Sequence, residues 1–360
     1  MPARRIHDLD TPALLLNGGA SDRNLRAAAT FVGDKHARLR PHFKNHKCVT
    51  LARRQLATGN AVGITAAKLG EAEILVAGGI EDVLIANQVV GAIKVERLLR
   101  LAKKATVRVA VDSLDNARPI GEAAAKESLK IGVLLEVDVG MGRCGVPPGE
   151  PAVALAARIA ELPGIRFDGI QSYEGHAIGI ENRHDRQQVV KQSLGQAIDT
   201  RRQMEKQGIP FAILSGAGTS TYRFAASLEG VDELQIGSYA TMDWYYAGLV
   251  DGEFEIALSI LTTVISASPD RFVLDIGVKG AGDEMGPPKI ANHPEFQIQS
   301  FRSEEHCTVL APGHSLRVGD KLHLIPSHCC TTCNLHRQIH VHDGESILDV
   351  WPIEAAGALT

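Results

Sequence analysis

Three things are scarce in this 360-residue chain: aromatic side chains, an excess of either charge, and long apolar runs. Aromatic residues are 4% of it, and 42 acidic residues against 38 lysines and arginines leave a formal net charge of -4. A nucleic-acid surface needs a basic excess, so no nucleic-acid partner is expected. No apolar stretch approaches the roughly 20 residues that a membrane-crossing helix requires. Met1-Pro2-Ala3-Arg4-Arg5 also lacks the apolar centre of a signal peptide. The expectation is a cytoplasmic protein without a membrane partner. Cysteine is thin as well: there are six, and four of them crowd into Cys307 to Cys333. That is not the spacing of a disulfide framework in a chain of this size, so the thiols read as reduced, with metal binding open to some of them.

What is present is a regular alternation. A chain that is 44% hydrophobic and 22% charged has material for a full core and for two domains. Strand-like runs fall at Arg38–His42, Ala61–Thr65, Asp82–Ala86, Thr106–Val111, Lys130–Asp138, Arg166–Ser172, Phe211–Ser215 and Glu233–Ile236. Most are apolar enough to be buried on both faces of a parallel sheet. Between them lie Ala-, Leu- and Glu-rich stretches such as Ala66–Ala77, Glu96–Ala105 and Pro151–Leu162, with apolar residues at helical spacing. Eight such units in series predict a TIM (β/α)8 barrel over residues 20–254. From 255 to 360 the texture is β-rich, with Gly, Pro and Asp turns and no good amphipathic helix, which predicts a second, mainly β domain that residues 1–19 join.

A TIM barrel does its chemistry where strands end at the C-terminal face, so the residues there carry the functional reading. Past the first strand comes Arg40-Pro41-His42-Phe43-Lys44-Asn45-His46-Lys47. Neighbouring cations and partial burial both disfavour an ammonium, and a neutral amine is what condensation with an aldehyde cofactor requires. Arg143 lies in Asp138-Val139-Gly140-Met141-Gly142-Arg143-Cys144-Gly145 after the fifth strand, and Tyr173 and His176 follow the sixth. After the seventh comes Ser215-Gly216-Ala217-Gly218-Thr219, and after the eighth Gln235-Ile236-Gly237-Ser238-Tyr239. Two turns rich in Gly, Ser and Thr at these positions offer a phosphate N–H groups, hydroxyls and a helix N-terminus. A phosphorylated aldehyde joined to a lysine points to pyridoxal 5′-phosphate, PLP.

On these segments, and on Pro326-Ser327-His328-Cys329-Cys330 near the C-terminus, the chain resembles the D-threonine aldolase and D-serine dehydratase family of PLP enzymes, which has the alanine-racemase type of barrel plus β domain. The resemblance implies that Lys44, and not Lys47, joins the cofactor. Arg143 would lie near its phenolic oxygen. Tyr173, Ser215, Gly216, Gly218, Thr219, Gln235, Gly237, Ser238 and Tyr239 would complete the cofactor site, with His176 as a candidate general base. The departure is Asn45, where the family more often has threonine.

His328-Cys329-Cys330-Thr331-Thr332-Cys333 admits three readings from its residues. On a strand, His328 and Cys330 face the same side and can share a metal ion. Cys330-x-x-Cys333 can be half of a zinc knuckle, although no second pair completes it. The third reading is free thiols beside a packed histidine. The resemblance favours the first, with zinc suited to thiolate and imidazole, and manganese, cobalt or magnesium left open. Asp243 and Asp275 also match family segments, without an assigned role.

The resemblance implies a metal-assisted lyase, a homodimer acting on a small D-amino acid. A 3-hydroxy-D-amino acid of the D-threonine type would be cleaved to glycine and an aldehyde. The runner-up is dehydration of D-serine or 3-hydroxy-D-aspartate. A PLP-binding homeostasis protein without turnover is the reading from another class.

Overall fold

A computed structural model describes residues 5–301 and 303–360. The chain opens with β1 (Ala13–Asn17) and α1 (Gly18–Val32). Strands and helices then alternate: β2 (Arg38–Leu39), α2 (Val49–Leu56), β3 (Ile64–Ala66), α3 (Leu69–Ala77), β4 (Asp82–Gln88) and α4 (Ala92–Ala102). The series continues through β5 (Thr106–Val111), α5 (Leu114–Lys126), β6 (Ile131–Glu136), α6 (Glu150–Ala160), β7 (Ile165–Ser172) and α7 (Arg183–Lys206). It ends with β8 (Ile213–Gly216), α8 (Tyr222–Ala225) and β9 (Glu233–Leu234). Two compact units divide the chain: Ala29–Lys44, Leu51–Gly237 and Ala358–Thr360 form one, and Met1–Ala28, Asn45–Thr50 and Ser238–Gly357 the other.

The first unit is the parallel barrel. Its eight strands run in the order β2-β9-β8-β7-β6-β5-β4-β3, and parallel bridges Leu39–Ala61 and His42–Thr65 close β2 onto the segment of β3. The strands are apolar because helices cover one side and the other side fills the barrel. β6 is buried at every position, as its unbroken Ile-Gly-Val-Leu-Leu-Glu run requires. Asn182 starts α7 by accepting the His184 and Asp185 N–H groups, which satisfies donors that the helix itself leaves open. Three arginines, from buried Arg40 to exposed Arg166, face three carboxylates of the barrel strands. Arg40, 1% exposed, forks onto Glu233 at 2.7 Å and reaches Asp82 at 2.6 Å. Arg108 bridges Asp82 and Asp168, and Arg166 also holds Asp168. The charges balance, so each ion lost from water meets an opposite one.

The second unit adds α9 (Trp244–Ala247), β10 (Leu258–Ser268), β11 (Arg271–Leu274), β12 (Lys289–Ile290), β13 (Gln297–Ser300), β14 (Cys307–Leu310) and β15 (Lys321–Ile325). After them come α10 (Cys329–Leu335), β16 (Gln338–His342) and β17 (Ile347–Pro352). The path β13-β14-β11-β10-β1-β16-β17 makes the sheet, and β15 pairs with both β10 and β12. β1 lies antiparallel to β10 and parallel to β16. Asp275 ties this sheet together: it accepts from Thr11 Oγ1 and from the Thr263 N–H at 2.8 Å.

Candidate active site

Lys44 sits in a single 3-10 turn, Phe43–Asn45, just beyond β2. Pro41, His42 and Phe43 before it and Asn45 to Val49 after it are all buried, while Lys44 itself is half-buried. Lys47 is 6% exposed and its Nζ donates to the Ala355 carbonyl at 3.4 Å. Access therefore separates the two lysines. One part of the cationic neighbourhood reads differently in the structure: Arg40 is paired inside the barrel with Glu233 and Asp82, so it does not act as a bare charge beside Lys44.

The Tyr173 ring has two cations near it. Lys44 Nζ is 6.0 Å from its centroid and the Arg143 guanidinium 5.5 Å, distances at which a ring face attracts positive charge. Arg143 is steered by Glu136 at the end of β6, whose carboxylate lies 3.7 Å from it and also accepts from Gln88 Nε2 at 2.6 Å. Burial pushes the Glu136 carboxyl upward, against Gln88 and Arg143. The turn that carries Arg143 is held by Asp138, whose Oδ1 accepts from the N–H groups of Gly140, Met141 and Gly142 at 2.9 to 3.1 Å. Burial opposes these bonds, but together they keep the Asp138 carboxyl below its ordinary range. His176 is exposed and packs on this same turn: a Cβ at Gly140 would come 3.0 Å from its ring. Its Nε2 lies 3.2 Å from Ser193 Oγ on α7.

The Gly216–Thr221 turn follows β8 and is shaped for close approach. Ala217 holds a left-handed φ of 68°, and a Cβ on Gly218 would meet Ile178 Cδ1 at 2.8 Å. Thr219 is 3% exposed, yet its Oγ1 has no hydrogen-bond partner among the described residues. A buried hydroxyl left in that state is costly, and a phosphate oxygen would satisfy it. That orphaned donor fits the PLP expectation. Ser215 Oγ and Gln235 Nε2 meet at 2.9 Å, so the ends of β8 and β9 bring these two expected residues together. Gly237 is half-buried. Ser238 and Tyr239 fall in the second unit, where the Tyr239 ring packs on Phe254 at 5.8 Å.

The His328 and Cys330 pair corrects the strand expectation. The segment is not a strand: His328 is the extended N-cap of α10, and Cys330 lies in that helix's first turn. The alternation of faces used to separate Cys329 from Cys330 therefore does not apply. Burial separates them instead, with Cys329 at 0% exposed and Cys330 partly open. His328 Nδ1 lies 3.0 Å from Asp243 Oδ2, which leaves Nε2 for another partner, and the imidazole stacks on Tyr246 at 5.5 Å. Asn45 Nδ2 donates to Cys330 Sγ at 3.9 Å and its Oδ1 accepts from Thr241 at 2.7 Å. Burial disfavours an imidazolium here, yet Cys330 and Asp243 outweigh it and push His328 up to about 11. A metal ion would have to displace that proton, since imidazole binds a metal in its neutral form. Among the described residues no three His, Cys, Asp or Glu side chains form a metal cage, so a four-ligand knuckle is not assembled. Imidazole and thiolate are a zinc-type donor pair, and two protein donors leave positions for water or substrate.

Sequence reasoning left Asp243 without a role and assigned none to Glu136. Asp243-Trp244-Tyr245-Tyr246 carries a helix-capping signal, for Asp243 caps α9 through the Tyr246 N–H, but its second bond, to His328, spans 85 residues. Nothing local in the sequence signals that contact.

A parallel eight-stranded barrel followed by a mainly β unit, with a lysine past the first barrel strand, defines an alanine-racemase-like architecture. Residues 16–243 match the family model described as "Alanine racemase, N-terminal domain", and residues 257–342 that described as "Putative serine dehydratase domain". The chain belongs to the D-threonine aldolase and D-serine dehydratase family of that fold. It is 38% identical to a D-threonine aldolase of Arthrobacter sp and 36% identical to a 3-hydroxy-D-aspartate aldolase of Paracoccus denitrificans (strain Pd 1222). Each match covers 99% of this chain and 95% of the relative. The crystal structure of D-threonine aldolase from Filomicrobium marinum superposes with a TM-score of 0.94 at 35% identity, over 99% of this chain and 98% of that one. The relatives are lyases.

Proposed function

We propose that the protein is a PLP- and divalent-metal-dependent lyase that cleaves a 3-hydroxy-D-amino acid of the D-threonine type to glycine and an aldehyde. The observation that carries this reading is the likeness to two aldolases along nearly the whole chain. Lys44, half-buried among buried neighbours, would join the cofactor. Tyr173 and Arg143 would flank it, and the Ser215–Thr219 turn with Gln235, Gly237, Ser238 and Tyr239 would complete the cofactor's binding site. His328 and Cys330 would hold the ion, oriented by Asp243 and Asn45. When bound, PLP supplies an electron sink for charge at the substrate's α-carbon, and the ion acidifies the substrate hydroxyl. His176, its ring tied to Ser193, is the proposed proton acceptor. Homodimeric assembly and a cytoplasmic location belong to the same proposal.

The test is a product assay on a panel of D- and L-3-hydroxy amino acids, with PLP and zinc, manganese, cobalt or magnesium supplied. Equal amounts of glycine and acetaldehyde from D-threonine support the proposal. Ammonia release without glycine would instead select dehydration, the second reading, which the match of residues 257–342 to a serine dehydratase domain favours.

A further inference from the structure

Glu174 is a buried carboxyl that the roles above do not use. It lies two residues beyond β7, is 0% exposed, and is bonded to the Gly216–Thr221 turn. Its Oε2 accepts from the Ala217 N–H at 3.3 Å, and its Oε1 is 2.6 Å from Thr221 Oγ1. Thr221 Oγ1 also accepts from the Gly218 N–H at 2.9 Å and lies 3.2 Å from the Gly218 carbonyl. One carboxyl thus engages, directly or through Thr221, the two residues whose backbone sets the turn. Beside them stands the buried Thr219 hydroxyl that lacks a partner.

An ionised carboxylate here would repel the anion that the turn is shaped to receive. Among the described residues no Lys, Arg or His forms an ion pair with Glu174, and burial pushes its carboxyl upward against the opposing bonds from Thr221 and Ala217. A proton on Glu174 also leaves every group satisfied. The acid O–H would donate to Thr221 Oγ1, reversing the bond that Thr221 makes to Oε1, while the Thr221 hydroxyl donates to the Gly218 carbonyl and the Ala217 N–H to Oε2.

We propose that Glu174 is the positioning residue of this turn, an uncharged acid that fixes Ala217 and Gly218 and leaves the Thr219 hydroxyl to a phosphate. The inference rests on reading the turn as the site of the PLP phosphate. Its consequence is selective: losing Glu174 harms recognition of the phosphate and spares recognition of the ring and aldehyde.

The experiment is an absorbance titration of the full-length protein with PLP and with pyridoxal, which lacks the phosphate. Glu174→Ala should weaken PLP binding about tenfold or more and move pyridoxal binding by less than about twofold. Glu174→Gln keeps a donor and an acceptor without charge, so PLP affinity should stay within about threefold of wild type. Equal losses for PLP and pyridoxal in Glu174→Ala would overturn the proposal by showing a general structural role. A Glu174→Gln loss as large as that of Glu174→Ala would overturn the uncharged acid. Should Glu174→Ala fail to fold, Thr221→Val removes the relay hydroxyl and must show the same PLP-selective loss. A wild-type protein that binds PLP no more tightly than pyridoxal would refute the phosphate site itself, whatever the variants do.

Discussion

At the scale of single residues, Lys44 and Lys47 are three positions apart and differ in access: one is half-buried, and the other is buried against the Ala355 carbonyl. Lys44→Ala should abolish both the visible absorbance of the lysine-bound cofactor and activity, while Lys47→Ala should keep the absorbance. A spectrum lost only in Lys47→Ala would reverse the assignment. Asp243 makes the second residue-scale prediction. It fixes the His328 ring through Nδ1, and such supports typically matter about 10- to 100-fold in metal affinity. Asp243→Asn should weaken zinc binding by that order in a calorimetric titration, and an unchanged affinity would contradict the role. His328 and Cys330 were read from the sequence as the proposed metal pair. Their support was not, because Asp243 and Asn45 come from segments far along the chain.

At the scale of elements, the eight barrel strands were readable because buried parallel strands are apolar runs bounded by polar turns. Thr106–Val111 coincides with β5, and Asp82–Ala86 falls within β4. The ends were less legible: Arg38–His42 and Glu233–Ile236 hold only two-residue strands, although the Arg40 and His42 N–H groups go on to bond the Leu234 and Ile236 carbonyls. α10 escaped the reading altogether. Its Cys-Cys-Thr-Thr-Cys run has weak helix propensity, and tertiary bonds override it. Asp243 Oδ2 accepts the Cys329 N–H at 3.0 Å, and Thr332 Oγ1 accepts from the Gly282 N–H while donating to the His328 carbonyl. The helix makes a prediction that a strand does not. Cys329, buried and bonded to the Met242 carbonyl, should be a stability residue: Cys329→Ala should cost about 1 kcal/mol in urea unfolding and leave metal affinity intact. Cys330→Ala should do the opposite, and loss of metal in Cys329→Ala would mean that the pair is misassigned.

For the whole molecule, the fold rests on charge as well as on apolar burial. The network of Arg40, Arg108 and Arg166 with Asp82, Asp168 and Glu233 links the barrel strands and is buried at Arg40, Asp168 and Glu233. Arg40→Ala would leave Glu233 buried without that partner, a change that costs about 3 to 5 kcal/mol. Urea unfolding should register it, and a loss below about 1 kcal/mol would show that the barrel tolerates the open charge. The sequence revealed Arg40 as a cation but not its direction, because Glu233 and Asp82 meet it only when the barrel closes. Cofactor attachment is what the proposed roles of the turns, Tyr173 and the His328–Cys330 pair all presuppose, so its position tests the account most directly. PLP-loaded protein should be reduced with borohydride, digested, and mapped by mass spectrometry across every lysine. The account predicts a pyridoxyl label on Lys44, in the tryptic peptide Leu39–Lys47, which stays uncut at the Arg40–Pro41 bond and at the modified lysine. A label on Lys47 or on any other lysine would contradict it.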